Sequence, residues 1–182
     1  MARVGYIATT EAEGDTREVF TKMEERGSGI LNLHRAVANS PNAVRNFIRL
    51  GNSLLVHGAL PPILRELAIL RVGQLTGAAY EWAHHVPIAR RVGVSEEQVE
   101  ALKSWQESPH FDERQRAVLG YAESVTLVVT VPDEVFQDVR RHLSEAEIVE
   151  LTLVAGYWGM VARLLVALEV DVEPSFVKYL PS

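Results

Sequence analysis

The chain of 182 residues contains no cysteine. That absence removes disulfide scaffolds, thiolate metal sites and thiol redox catalysis, and it leaves the chain compatible with any redox compartment. Basic clusters are missing too. With a net charge of −6 and no basic face, nucleic acid is not an expected partner. Nor is there a long uninterrupted apolar run. The greasiest segment, around residues 151–168, is broken by Gly156, Gly159 and Arg163, and the N-terminal Met1-Ala2-Arg3-Val4-Gly5-Tyr6 lacks an apolar signal region. A cytoplasmic location without a membrane partner is the expectation. Hairpin signals are also scarce. Only Val125-Thr126-Leu127-Val128-Val129-Thr130-Val131 is β-branched enough to suggest a strand, and no segment nearby offers matching alternation. It reads as the end of a buried helix.

What the sequence does hold is helix punctuation. Asp15 is placed to cap a first helix closed by Gly27-Ser28-Gly29, Ser40-Pro41 opens a second that runs to His57-Gly58, and Pro61-Pro62 opens a third ending near Gly77. The next runs from about Ala78 to Gly93, a residue suited to a left-handed C-terminal cap. Ser95-Glu96-Glu97-Gln98 and Ser144-Glu145-Ala146-Glu147 are capping boxes, Asp112 precedes another helix, and Pro132 starts one more. The tail from Val170 reads as an extended arm. Linkers are short and composition does not shift along the chain. These features predict an all-α fold, a helical bundle forming one domain over residues 1–182.

Within that apolar framework three ionisable groups stand out: Glu66 on one helix, Glu81 and His85 on the next. An uncompensated charge in such segments is costly, so these groups either satisfy one another or do chemistry. Glu81 and His85 stand four apart on one helical face, where a carboxylate orients an imidazole and raises its basicity. Antiparallel packing across the short Gly77 connection brings Glu66 face to face with them. A carboxylate buried near a second one has its pKa raised, the condition for acid–base work near neutrality. Arg71 is a candidate for binding a substrate carboxylate in bidentate fashion. Tyr80 and Trp82, which flank Glu81, are candidates for a pocket wall. His84 points about 100° away from His85 around the helix and is expected at the surface or an interface. Trp158 and Arg163 are assigned to the core or to a subunit contact.

The run Leu64-Arg65-Glu66-Leu67-Ala68-Ile69-Leu70-Arg71-Val72, followed by Tyr80-Glu81-Trp82-Ala83-His84-His85, Ala89 and Gly93-Val94-Ser95, resembles the core motif of the carboxymuconolactone decarboxylase family, which includes the alkylhydroperoxidase-D-like proteins. The resemblance is centred on residues 60–105. In the family's peroxidase branch a Glu is followed by Cys-x-x-Cys-x-x-x-His; the Glu falls on Glu66, the His on His85, and the two cysteines on Ala78 and Glu81. With both thiols missing, cysteine-based peroxidase chemistry is excluded. The resemblance implies an all-α fold assembled as homotrimers or homohexamers. It also implies lyase or decarboxylase-type chemistry, without a cofactor, on a small carboxylated lactone or related carbonyl compound. In that reading His85 moves the proton, Glu81 orients it, and Glu66 is a second acid/base.

Two other readings remain open. One is a non-catalytic oligomer of the same fold that binds a ligand. The other is a metal protein, because Glu81-Trp82-Ala83-His84 has the Glu-x-x-His spacing of di-iron bundles. The only second Glu-x-x-His, Glu107-Ser108-Pro109-His110, carries a proline, so no metal ligands are assigned.

Overall fold

A computed structural model describes residues 2–181, and among them every regular element is helical. Nine α-helices follow in order: α1 (Gly14–Glu25), α2 (Asn32–Val37), α3 (Pro41–Val56), α4 (Pro62–Thr76), α5 (Ala79–Val92), α6 (Glu96–Ala101), α7 (Glu113–Leu127), α8 (Asp133–His142) and α9 (Glu145–Ala167). Short 3-10 turns follow α6 and close the chain at Val177–Tyr179.

The local signals act where they stand. Ser95, Asp112 and Ser144 each accept the backbone N–H three residues on, and the side chains of Gln98, Gln115 and Glu147 bond back. Gly77 and Gly93 take left-handed conformations at the ends of α4 and α5, with φ of 68° and 107°. The segment 125–131 is helical up to Leu127, as its lack of a strand partner predicts, but this helix end is not buried: Leu127, Val128 and Val129 are exposed. Two expectations fail. Asp15 does not cap α1; its carboxylate instead pairs with Arg45 of α3 at 2.8 Å. α2 was not foreseen, because no Ser, Thr, Asp or Asn precedes it; His34 Nδ1 accepts the Leu31 N–H at 3.2 Å in place of a cap.

α4 is the axis of the fold. It packs against α5, α7 and α9, and every residue from Leu64 to Gly73 is buried. A helix apolar around its whole circumference belongs inside, not at a surface. Ala68, Ile69 and Val72 join the cluster that α9 completes with Leu151, Val154 and Trp158, whereas Leu67 and Leu70 meet Val86, Ala89 and Leu102 on another side. A third cluster of Phe20, Val44 and Ile48 ties α1 to α3. α9 is long and apolar enough to cross a bilayer, yet over half of its most apolar stretch is buried within the fold.

The α4–α5 turn sets which faces of these two helices meet, and it rests on Gly77. A Cβ at this position would touch nothing within 4 Å, so Gly77→Ala isolates the backbone cost of a left-handed L-residue. That cost is about 1–2 kcal/mol. Thermal denaturation of Gly77→Ala should therefore show a midpoint a few degrees below that of the parent.

Candidate active site

Because α4 is central, its charged residues have to find partners inside the protein. Glu66 is fully buried. Its Oε1 accepts the Arg65 Nε–H at 3.1 Å, and its Oε2 lies 2.8 Å from His85 Nδ1 on α5. On the far side of the imidazole, the indole Nε1–H of Trp158 on α9 donates to His85 Nε2 at 2.8 Å. An indole nitrogen can only donate, so Nε2 must be the acceptor and the ring proton must sit on Nδ1, directed at the carboxylate. Arg65, Glu66, His85 and Trp158 thus form one chain of hydrogen bonds across three helices, with the Glu66 charge matched by the guanidinium.

His85 and Trp158 lie in the wall of a cavity of about 220 Å³ between α2, α3, α5 and α9. Its apolar lining includes Leu33, Phe47, Ile48, Leu55, Ile88 and Val161. Tyr80, Glu81 and His84 complete the α5 side. Glu81 does not orient His85, as the four-residue spacing suggested. Its carboxyl group rests against Gly73 of α4, where a Cβ would stand 3.3 Å from Oε1, and neither of its oxygens has a hydrogen-bond partner. Complete burial pushes its pKa well above the ordinary carboxylate range, which favours the protonated, uncharged form.

His84 is likewise not at the surface. Its Nε2 meets Glu173 Oε2 at 2.7 Å, and its ring stacks between Tyr80 and Phe176, with centroids 4.3 and 3.8 Å away. Glu173 also accepts the Tyr80 hydroxyl at 2.8 Å and the Asn32 N–H at 2.6 Å. Burial alone would raise the Glu173 pKa, but the donors His84, Asn32 and Tyr80 outweigh it and hold the carboxyl at about 2. The C-terminal arm thereby fixes two wall residues from behind. Burial pushes His34, also in the wall, down to about 4.

The remaining candidates lie elsewhere. Arg71 is not in the cavity wall; its guanidinium binds Glu123 Oε2 at 2.7 Å, Gln74 Oε1 and the Leu102 carbonyl, a structural role that leaves nothing for a substrate carboxylate there. Trp82 faces the other side of α5, in a cleft of about 530 Å³ shared with Arg90, Lys103 and Tyr179. Glu81 and His84, the Glu-x-x-His pair, diverge to Gly73 and Glu173, and no group of three or more His, Asp or Glu among the described residues is arranged to hold a metal. The residues missed in the sequence are Trp158 as the partner of His85 and Glu173 as the anchor of Tyr80 and His84.

The sequence profile of the carboxymuconolactone decarboxylase family matches residues 41–124, which span α3 to α7. An uncharacterized protein of Bacillus subtilis (strain 168), YdfG, is 32% identical over 106 residues, covering 57% of this chain and 72% of its own length. Among solved structures, an AhpD-core peroxidase-related protein from Ralstonia eutropha JMP134 superposes with a TM-score of 0.82 at 18% identity, covering 96% of this chain and 94% of that one. The debrominase Bmp8, in a cysteine-to-alanine form bound to 2,3,4-tribromopyrrole, gives 0.82 at 21% identity, covering 98% and 97%. The chain belongs to the carboxymuconolactone decarboxylase family, and its fold is that of the AhpD-like superfamily. Enzymes occur among these relatives.

Glu81 gives the site a signature in stability. Its folded-state pKa lies above its unfolded value, so the folded protein holds a proton that the unfolded chain releases. Stability from this residue is fully present below the unfolded pKa and is lost as pH rises toward the folded pKa, at about 1.4 kcal/mol per pH unit. Glu81→Gln, which cannot ionise, should be more stable than the parent at pH 8 and lose that advantage toward pH 4. Chemical denaturation of both proteins across this range measures the difference.

Proposed function

We propose that this chain is an acid–base catalyst of the lyase or isomerase type that moves a proton at a carbon beside a carbonyl group. The supporting observation is the Glu66–His85–Trp158 chain opening on the cavity. A neutral imidazole with its proton committed to a carboxylate has one basic nitrogen, Nε2, and that nitrogen is the one on the Trp158 side. When a substrate takes the place of the indole N–H, Nε2 accepts the proton from carbon. The imidazolium so formed is stabilised by Glu66, whose own charge Arg65 keeps in place. The electron pair left on carbon moves to the carbonyl oxygen, which needs a hydrogen-bond donor. The indole N–H released from His85, in the cavity wall, fits that role. Loss of CO₂ from a β-keto acid whose carboxyl proton has first passed to Nε2 would generate the same enolate, and the imidazolium would return that proton to carbon. Neither route calls for a thiol.

The Trp158 bond that fills Nε2 also favours a second reading, a member of the fold that binds a ligand without converting it. Isotope exchange separates the two. In D₂O, small ketones and lactones should take up deuterium beside the carbonyl in the presence of the protein, followed by proton NMR, with CO₂ monitored for carboxylated compounds. His85→Gln should lower the rate by about 10²–10⁴-fold, the usual worth of a positioned base, and Glu66→Gln should also slow it. Undiminished exchange in His85→Gln would refute the assignment; ligand binding without any exchange would select the second reading.

Assembly as a homotrimer or homohexamer belongs to the same proposal. Its support is the apolar face that α9 leaves exposed, with Val149, Leu153 and Met160 each more than 40% accessible. Sedimentation equilibrium should give a mass three or six times 20.2 kDa, and Leu153→Glu with Met160→Glu should lower it.

A further inference from the structure

The lining of the cavity beside His85 contains no lysine and no arginine. The nearest buried cation along the hydrogen-bond chain, Arg65, is spent on Glu66. Arg71, the other buried arginine, is bound to Glu123. Of the arginines on the helices forming the cavity, Arg35 bonds the Ile7 carbonyl, Arg45 pairs with Asp15 and Glu18, Arg163 bonds the Gly159 carbonyl, and Arg49, Arg90 and Arg91 lie outside the lining. His84 faces the cavity, but its Nε2 already meets the Glu173 carboxylate.

What the wall offers instead is neutral donors. His34 uses Nδ1 to accept the Leu31 N–H, so in its neutral form its proton is on Nε2, which has no partner among the described residues. The indole N–H of Trp158, which a ligand can take over from His85, is the second. Asn52 stands exposed at the rim. A carboxylate entering such a site would give up its water and find no cation, an exchange that buried anions do not survive without pairing. A carbonyl oxygen, which only accepts hydrogen bonds, matches both neutral donors. At about 220 Å³ the space is smaller than the roughly 300–1,000 Å³ of sites for drug-sized ligands, which suits a single ring.

From the cation-free wall and its neutral donors, we infer that the substrate of this site is a neutral, largely apolar carbonyl compound of single-ring size, and that carboxylated analogues are discriminated against. This rests on the acid–base reading above and narrows its substrate class, setting it apart from the carboxylated lactone that the family's name denotes.

A matched set of probes tests it with charge as the main variable: cyclohexanone, 3-oxocyclohexanecarboxamide and 3-oxocyclohexanecarboxylate at pH 7. Binding is read from the indole N–H resonance of Trp158 by NMR titration, with the signal assigned through Trp158→Phe, and deuterium uptake is measured in parallel. The ketone and the amide should bind, with the carboxylate at least tenfold weaker than the amide. Asn52→Arg, which adds a cation at the exposed rim, should narrow that gap by tenfold or more. Carboxylate binding as tight as that of the amide in the unaltered protein, or no response of Trp158 to any of the three, would overturn the inference. Neutral probes that bind without exchanging deuterium would defeat the acid–base reading and leave the binding preference standing. A carboxylate that binds best and exchanges would do the reverse.

Discussion

The hydrogen bond between Glu66 and His85 is the constraint around which the rest is arranged. A carboxylate with no exposed surface, on a helix buried along its whole face, is tolerable only if its charge and its lone pairs are met nearby. Arg65 meets the charge from the same helix, and His85 meets the second oxygen from the next. This demand fixes the facing of α4 and α5, since a rotation of either helix would leave an unpaired ion in the core. It also passes to α9. With Nδ1 committed to Glu66, the other imidazole nitrogen becomes an acceptor, and the indole of Trp158 is the group that fills it. One buried charge thereby ties three helices to one proton arrangement.

The two carboxyl groups of the α4–α5 seam show how strongly surroundings divide the roles of identical chemistry. Glu66 has a guanidinium and an imidazole; Glu81, one turn before His85, has neither, and lies against the smallest side of α4 at Gly73. The first is held as an anion, the second as an acid. Glu81 also occupies the place where the peroxidase branch of the family carries a thiol. A carboxyl there can donate a hydrogen bond when protonated but cannot form a disulfide.

Legibility in the sequence followed the range of the interactions. The capping boxes at Ser95 and Ser144 span three residues and were readable as written, as was the helix start at Asp112, whose reciprocal bond from Gln115 was not. Glu66 and His85 were readable as a pair because a helical hairpin with a short turn brings positions 19 apart together. Helical spacing misled for Glu81: a four-residue separation permits contact with His85 but does not compel it, and Gly73 offered space on the opposing helix. Trp158 lies 73 residues from His85, and Glu173 lies 89 from His84. No periodicity encodes such pairings, and a tryptophan on an apolar helix carries no mark that sets a hydrogen-bonding indole apart from a packing one. Arg71 illustrates the converse. Its motif position suggested a ligand, whereas its partner Glu123 comes from α7, outside the motif's core.

The walls of the cavity are held by groups that never enter it. Tyr80 and His84 would each present a polar edge to the apolar space if their hydrogen-bonding capacity were unmet. Glu173, on the arm after α9, takes both and the Asn32 N–H as well, while Phe176 covers the outer face of the His84 ring. Because the anion sits behind the wall, its charge is consumed by these donors and does not face the ligand space. The polarity left to the interior is then that of His85, Trp158 and His34: one acceptor engaged by one indole donor, and one donor without a partner. Such an interior offers a ligand shape and few hydrogen bonds, which is what the neutral carbonyl compound inferred above would require.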